Sequence, residues 1–350
     1  MSSTPTNPYA AAHLSPNGEG DARPTALQII HDENLVNKMQ DKVMLVTGAS
    51  SGIGAETARA LHATGAHVFI QVRDVPKGEA VMRDILASSE GTGKLELIKM
   101  DLDSLASVRA GVEEFLKRAS TLNVLVNNAG ELLVAGCGYA NLGVRNPPES
   151  RTQDGFETQF GVNHLSHFLL FQLLKPTLLA SSTPEFASRV VNVSSGAHSK
   201  SAIHFENLNL EGIYTPALGY AQSKTANILM ANEVERLYGS KGIHGLSVHP
   251  GGIRSGAQRH DDPAIIREQL QDQKLMKILK NTAQGAATTV WAAVGKVWEG
   301  KGGKYLENMR EGVEVETADI YSGGYKSFAF DQEAQRKLWE VSCKLVGVSE

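Results

Sequence analysis

Tyr220 and Lys224 stand four residues apart in "LGYAQSKTANILM", residues 218–230. Ala and Leu favour a helix there, and a helix puts both residues on one face. A phenol beside an ammonium can move a proton, but the same pair can be an ordinary surface contact. With eight Tyr in the chain and Lys at roughly one position in twenty, chance supplies ~0.4 such pairs. An unperturbed phenol titrates near ~10, so acid–base work near neutral pH takes ~4 kcal/mol. One nearby cation supplies ~1–3 pKa units, so Lys224 alone is marginal and a second positive charge is needed. The surroundings must decide between the two readings.

The segment "TGASSGIG" sets Gly48, Gly52 and Gly54 between an apolar run, "KVMLVTG", and an Ala-rich helix, "GIGAETARALHATG". Three glycines at this spacing occur by chance ~0.3 times in a chain of this composition. Their place at a strand-to-helix junction gives them meaning. Such a turn, here with Ser50, Ser51 and Ile53 between and beside the glycines, lets the backbone approach a pyrophosphate and aims helix amides at it. In "FIQVRDV" Val72 stands where an acid would hold a ribose 2′-hydroxyl, Arg73 follows, and Asp74 comes past the ribose. A guanidinium suits a 2′-phosphate, so NADP(H) is expected, with NAD(H) as the alternative. The plain alternative for Arg73 is a solvated turn residue.

The elements that must position these residues alternate. Strands are expected at "KVMLVTG", "AHVFIQV", "KLELIKMDL", "LNVLVNNAG", "SRVVNVSS", "IHGLSVHPGG" and "GKYLEN". Helices fall between them, the longest over 154–179. Continuous apolar strands each followed by a helix imply an α/β fold: a single Rossmann-type doubly wound parallel sheet of about seven strands, with helices on both faces. The polar N-terminus reads as a disordered tail over 1–20, and 21–350 as one catalytic domain. Residues 131–153 read as a substrate loop by length and Gly/Pro content, and 255–284 read as a lid. A net charge of −4 argues against nucleic acid as a partner. Two cysteines and no apolar run near ~20 residues fit a cytoplasmic protein without a membrane span.

Taken together, "TGASSGIG", "DL" (101–102), "NNAG" (127–130), Asn163 in "GVNHLSHFLL", "VVNVSS", "YAQSK" and "HPGGIRS" resemble the short-chain dehydrogenase/reductase family. "DGFETQFGVNHLSHFLL", "RVVNVSSGAHS" and "GKYLEN" resemble its retinol-dehydrogenase-like and WW-domain-oxidoreductase-like members, and the likeness spans roughly 42–345. The resemblance implies that Asp101 takes the adenine amino group and Leu102 lines the adenine site. Asn128, Ala129 and Gly130 would border the adenine ribose. Asn163 would kink the long helix and hold a water linked to Lys224. Ser195 would be the catalytic hydroxyl, Tyr220 the acid/base and Lys224 its partner, holding the ribose as well. Pro250, Gly251, Ile253 and Ser255 would pass near the nicotinamide, Ser255 standing where the family usually has Thr. Pairing through the helices of Asn163 and Tyr220 would give a homodimer or homotetramer.

The expected activity is NADP(H)-dependent interconversion of a carbonyl and an alcohol on a fairly large, lipophilic small molecule. A nucleotide-binding scaffold without chemistry, or an epimerase or dehydratase on the same fold, are the alternatives. Ser194 is the alternative to Ser195. His164 and His167, three apart on a helix, gather no acidic or Cys partners in sequence. They read as helix-face or cofactor-adjacent residues, and no metal site is expected. Cys137 has no obvious base beside it and reads as inert.

Overall fold

The computed structural model describes residues 9–130, 149–253, 271–317 and 323–349. Its strands are β1 Val43–Thr47, β2 His67–Val72, β3 Leu95–Lys99, β4 Val124–Asn127, β5 Ser188–Val193, β6 Ile243–His249, β7 Lys304–Glu307 and β8 Arg310–Glu311. They form one sheet in the order β3-β2-β1-β4-β5-β6-β7-β8. Every neighbouring pair from β3 to β7 is parallel, and β8 pairs antiparallel to β7. The helices are α1 Ala10–Leu14, α2 Ala26–Asp32, α3 Gly52–Ala63, α4 Val75–Ser88, α5 Leu105–Arg118, α6 Thr158–Phe160, α7 Ser166–Ser181, α8 Pro216–Tyr238, α9 Gln273–Ile278, α10 Thr282–Gly285, α11 Ala287–Val294 and α12 Gln332–Val346.

Alternation along the strands builds two cores. Met44, Val46, Val68 and Ile70 pack under α2, α3 and α11 with Ile29, Ile30, Leu61 and Val290. Leu45, Phe69, Leu125 and Val190 pack under α5, α7, α8 and α12 with Phe115, Phe168, Leu229 and Trp339. Both faces are covered, which is why the strands read as continuous apolar runs.

Three expectations change. The sheet has eight strands rather than about seven, because Asn308 (φ 47) and Met309 (φ 58) close a two-residue hairpin from β7 into β8. Such a turn needs positive φ at both residues, and Met does not announce one. The helix expected over 154–179 begins only at Thr158. Gly155 takes φ +86, the Asp154 carboxylate accepts the Leu105 amide, and Glu157 caps the Gln159 and Phe160 amides. Residues 9–20, expected as tail, are folded against the protein: Gly18 N–H donates to Lys277 O at 2.8 Å and Gly20 N–H to Gln284 Oε1 at 2.9 Å. Carbonyls around the end of α9 need donors, and this segment with the Arg23 guanidinium supplies them.

Much of the face shared by α7 and α8 is covered by the chain's own α12. Trp339, 2% exposed, meets Phe168 edge-on at 4.9 Å, and Ser342 Oγ lies 2.9 Å from His164 Nε2. Among the described residues no helix is long and apolar enough to cross a membrane.

Candidate active site

The strand order reverses between β1 and β4, and a crevice at the carboxyl ends of the strands follows from that. Into it turns the chain after β1. Gly48 takes φ +66, and a Cβ there would stand 2.6 Å from the Ala129 Cα. A Cβ on Gly54 would stand 2.4 Å from the Gly48 carbonyl oxygen and 2.5 Å from Asn128 Nδ2. At Gly52 (φ +60) the space a Cβ would enter holds nothing within 4 Å. Ser51, the exposed N-cap of α3, makes no capping hydrogen bond, and the first turn carries no acidic side chain. An open glycine-lined cradle at uncapped helix amides suits an anion, so a nucleotide pyrophosphate fits these residues. Ser50 lies half-buried in the turn, and Ile53 and Ile253 both lie beside Gly285.

The residues expected along the nucleotide's other flank follow β2, β3 and β4. Val72, where an acid was sought, is 1% exposed in the core, and Arg73 is exposed just after it. Asp74 turns away to cap α4, accepting from Lys77 N–H at 3.2 Å and pairing with Lys77 Nζ at 3.0 Å. Lys77 and that cap hold its carboxyl below the usual range. Asp101 is half-buried and accepts the Asp103 amide, and Leu102 is buried with its carbonyl bound by Ser166. Asn128 reaches back to the Thr47 carbonyl at 2.8 Å, which closes the β1 and β4 ends together.

Two of the residues expected to do chemistry, Asn163 and Lys224, meet at Gly130, just past the end of β4. A Cβ on Gly130 would be 3.3 Å from both Asn163 Oδ1 and Lys224 Nζ. Asn163 sits in a π-helical segment, Gly161–Leu165, between α6 and α7. Its amide donates to Ser223 Oγ at 3.0 Å, and that hydroxyl donates to the Tyr220 carbonyl. Thr215 caps α8 and Pro216 stands in its first turn, so Tyr220 and Lys224 fall one turn apart as their spacing requires. Lys224 is 4% exposed, with Nζ 5.5 Å from the Tyr220 ring centroid and 3.1 Å from Val193 O. The end of β5 separates the two serines. Ser194 spends its hydroxyl on the Lys224 carbonyl at 2.7 Å, whereas Ser195 accepts the Ala197 amide and opens the next turn. After β6, Pro250 and Gly251 lie over Lys280, whose Nζ donates to Pro250 O at 3.1 Å. Ser255, Cys137 and most of the two long loops fall outside the described residues.

Three supporting side chains, Gln71, Thr47 and Lys280, were not named as candidates in the sequence, and a fourth, His167, was read there as helix-face or cofactor-adjacent. Gln71 accepts the Gly48 amide at 2.8 Å, Thr47 accepts the Asn128 and Ala129 amides, and His167 lies between Thr47 and Asn163. Lys280 is fully buried, and burial, then the Arg23 guanidinium, bring it down to about 7. A polar residue inside an apolar strand, as Gln71 in "HVFIQV", is the one local signal any of them left. His164 faces α12 instead, where burial drives it down to about 3.

The chain is similar to known proteins. The family model for short chain dehydrogenases matches residues 42–265. Short-chain dehydrogenase/reductase prx1 of Penicillium roqueforti is 49% identical over 98% of this chain and 96% of its own. Oxidoreductase calI of Penicillium decumbens is 46% identical over 97% of each. Retinol dehydrogenase 11 of Homo sapiens is 37% identical over 89% of this chain and 87% of its own. Among solved structures, an uncharacterised protein of Mycobacterium paratuberculosis superposes with TM-score 0.63 at 31% identity, over 88% of this chain and 94% of that one.

Proposed function

The chain belongs to the short-chain dehydrogenase/reductase family, an NAD(P)-dependent oxidoreductase family, and we propose that it interconverts a carbonyl and an alcohol with NADP(H). The observation that carries this reading is the convergence of Asn163 Oδ1 and Lys224 Nζ at Gly130, with Tyr220 one turn from Lys224 on the same helix. The glycine turn after β1 would hold the dinucleotide's pyrophosphate, and the bound cofactor would supply or accept the hydride. Tyr220 gives its proton to the carbonyl oxygen, or takes it from the alcohol. Lys224 stabilises the phenolate and holds the ribose. Ser195 donates to the substrate oxygen as charge grows on it. Asn163 braces α8 through Ser223 and borders Lys224. Because Ser194 is committed to the Lys224 carbonyl, Ser195 is the better candidate of the two. Relatives named retinol dehydrogenases support a lipophilic alcohol or carbonyl as the substrate class.

The test is nicotinamide absorbance with NADPH and NADH against panels of ketones, aldehydes, retinoids, steroids and polyketides. Turnover of none of them with either cofactor overturns the reading and favours a scaffold.

For the nucleotide, the supporting facts are a buried Val72, an exposed Arg73, and an Asp74 occupied in capping. Arg73→Gln is therefore expected to lower kcat/KM for NADPH by about 10- to 100-fold, the worth of a charge-assisted pair, while NADH changes little. An equal loss with both cofactors removes Arg73 from that role.

For assembly, α12 occupies the α7/α8 face through which pairing was expected. Light scattering on the purified protein should give one chain's mass, 37.6 kDa, and a dimer mass overturns this.

A further inference from the structure

One buried histidine lies between the two halves of the site. His167, in the first turn of α7, is 1% exposed. Its Nδ1 lies 3.0 Å from the backbone oxygen of Asn163, and its Nε2 lies 2.8 Å from Thr47 Oγ. A carbonyl oxygen only accepts, so Nδ1 carries the proton. Burial first, and the Lys224 cation with it, outweigh the Asn163 bond and bring this imidazole down to about 4. The ring is thus neutral at physiological pH, with one N–H already used, and Nε2 must accept. The Thr47 hydroxyl then donates to it. The same oxygen receives the Asn128 amide at 2.9 Å and the Ala129 amide at 3.0 Å, which fills both its lone pairs. The competing acceptor, Val126 O, is farther, at 3.3 Å.

We propose that His167 is a positioning residue, joining the nucleotide-holding turns after β1 and β4 to the Asn163 segment through one imidazole of fixed tautomer. Thr47 is the residue before Gly48, Asn128 and Ala129 border the cradle, and Asn163 stands beside Lys224. A shift at Thr47 therefore reaches the Asn163 segment through two hydrogen bonds. His167 relays no proton in this scheme, because it is a neutral imidazole sealed from solvent. The inference deepens the oxidoreductase reading and rests on it for its kinetic half only.

Two near-isosteric variants divide the bridge. His167→Asn keeps a donor near the Nδ1 position for Asn163 and loses the acceptor for Thr47. His167→Gln keeps an acceptor near the Nε2 position and loses the Asn163 donor. Dissociation constants for NADPH come from fluorescence of the binary complex, and kcat from the absorbance assay. The expected result is a crossed split. His167→Asn should weaken NADPH by about tenfold and lower kcat by about threefold. His167→Gln should hold NADPH within about threefold and lower kcat by about tenfold, a tenfold step being the size of one lost hydrogen bond. Thermal melting of the free proteins shows that each variant is folded. If both variants move Kd and kcat in the same proportion, or neither moves either, the bridge is overturned. If the wild type turns over no carbonyl or alcohol, the functional reading fails separately. The bridge is then judged on NADPH affinity alone: a weaker Asn variant sustains it, and equal affinities sink it.

Discussion

Tyr220→Phe is expected to lower turnover by ~10³-fold or more while changing NADP(H) affinity by less than about threefold, because general acid–base groups contribute ~10²–10⁴. The substitution removes one oxygen and little else. The ring that Lys224 Nζ faces at 5.5 Å remains, and the backbone carbonyl that Ser223 uses is untouched. Lys224 keeps its bond to Val193 O. A loss of activity therefore reports on the proton and not on the fold. The checks are steady-state rates beside binary-complex fluorescence titration with NADPH. Activity within about tenfold of wild type sinks the assignment, since no comparable hydroxyl would then be required.

Gly54→Val is expected to weaken the nucleotide by about 100-fold or more and to lower the melting temperature, since overpacking costs about 1–3 kcal/mol and moves backbone. The first atom of any side chain at 54 would stand 2.4 Å from the Gly48 carbonyl oxygen. Relief by moving Gly48 is blocked, because Gly48 is itself packed on Ala129, where a Cβ would stand only 2.6 Å from the Ala129 Cα. The turn must open as a whole, and the cradle opens with it. Gly54 lies within α3 at ordinary helical φ, so the effect is steric and not a matter of backbone strain. Gly52→Ala is the informative comparison. Nothing stands within 4 Å of a Cβ there, so packing is spared while φ +60 is strained and a methyl enters the cradle. The first variant should lose both stability and affinity, and the second mainly affinity. NADPH binding to Gly54→Val within about threefold of wild type would remove the turn from the nucleotide site.

Much of the scaffold was legible because it rests on local patterns. The runs "KVMLVTG" and "AHVFIQV" became β1 and β2, and "GKYLEN" became β7. Sheets buried on both faces leave continuous apolar runs in sequence, and a cap such as Asp74 or a helical first-turn Pro such as Pro216 marks a helix start. The hairpin into β8 was not legible, because Asn308–Met309 takes its shape from the strands it joins. The start of the Asn163 helix was not legible either, because the carboxylate of Asp154 serves the Leu105 amide of another helix. The folding of residues 9–20 depends on carbonyls some 250 positions away, which no local pattern encodes.

The same division runs through the site. By itself the sequence determined the residue types and the periods: a glycine turn at a strand-to-helix junction, and a Tyr and a Lys on one helical face. Spacing along a helix fixes a face, so Tyr220 and Lys224 could be paired before any fold was known. Only the tertiary structure decided what that face meets. It brought Asn163, and Lys224 from nearly a hundred residues further along the chain, to Gly130 just past the end of β4. It committed Ser194 to a backbone carbonyl and left Ser195 at the turn. It sent His164 to α12 and His167 to Thr47, though the two stand three residues apart. Hydrogen bonds between distant elements are set by where the sheet places its strand ends, and that is a property of the packed chain rather than of any segment in it.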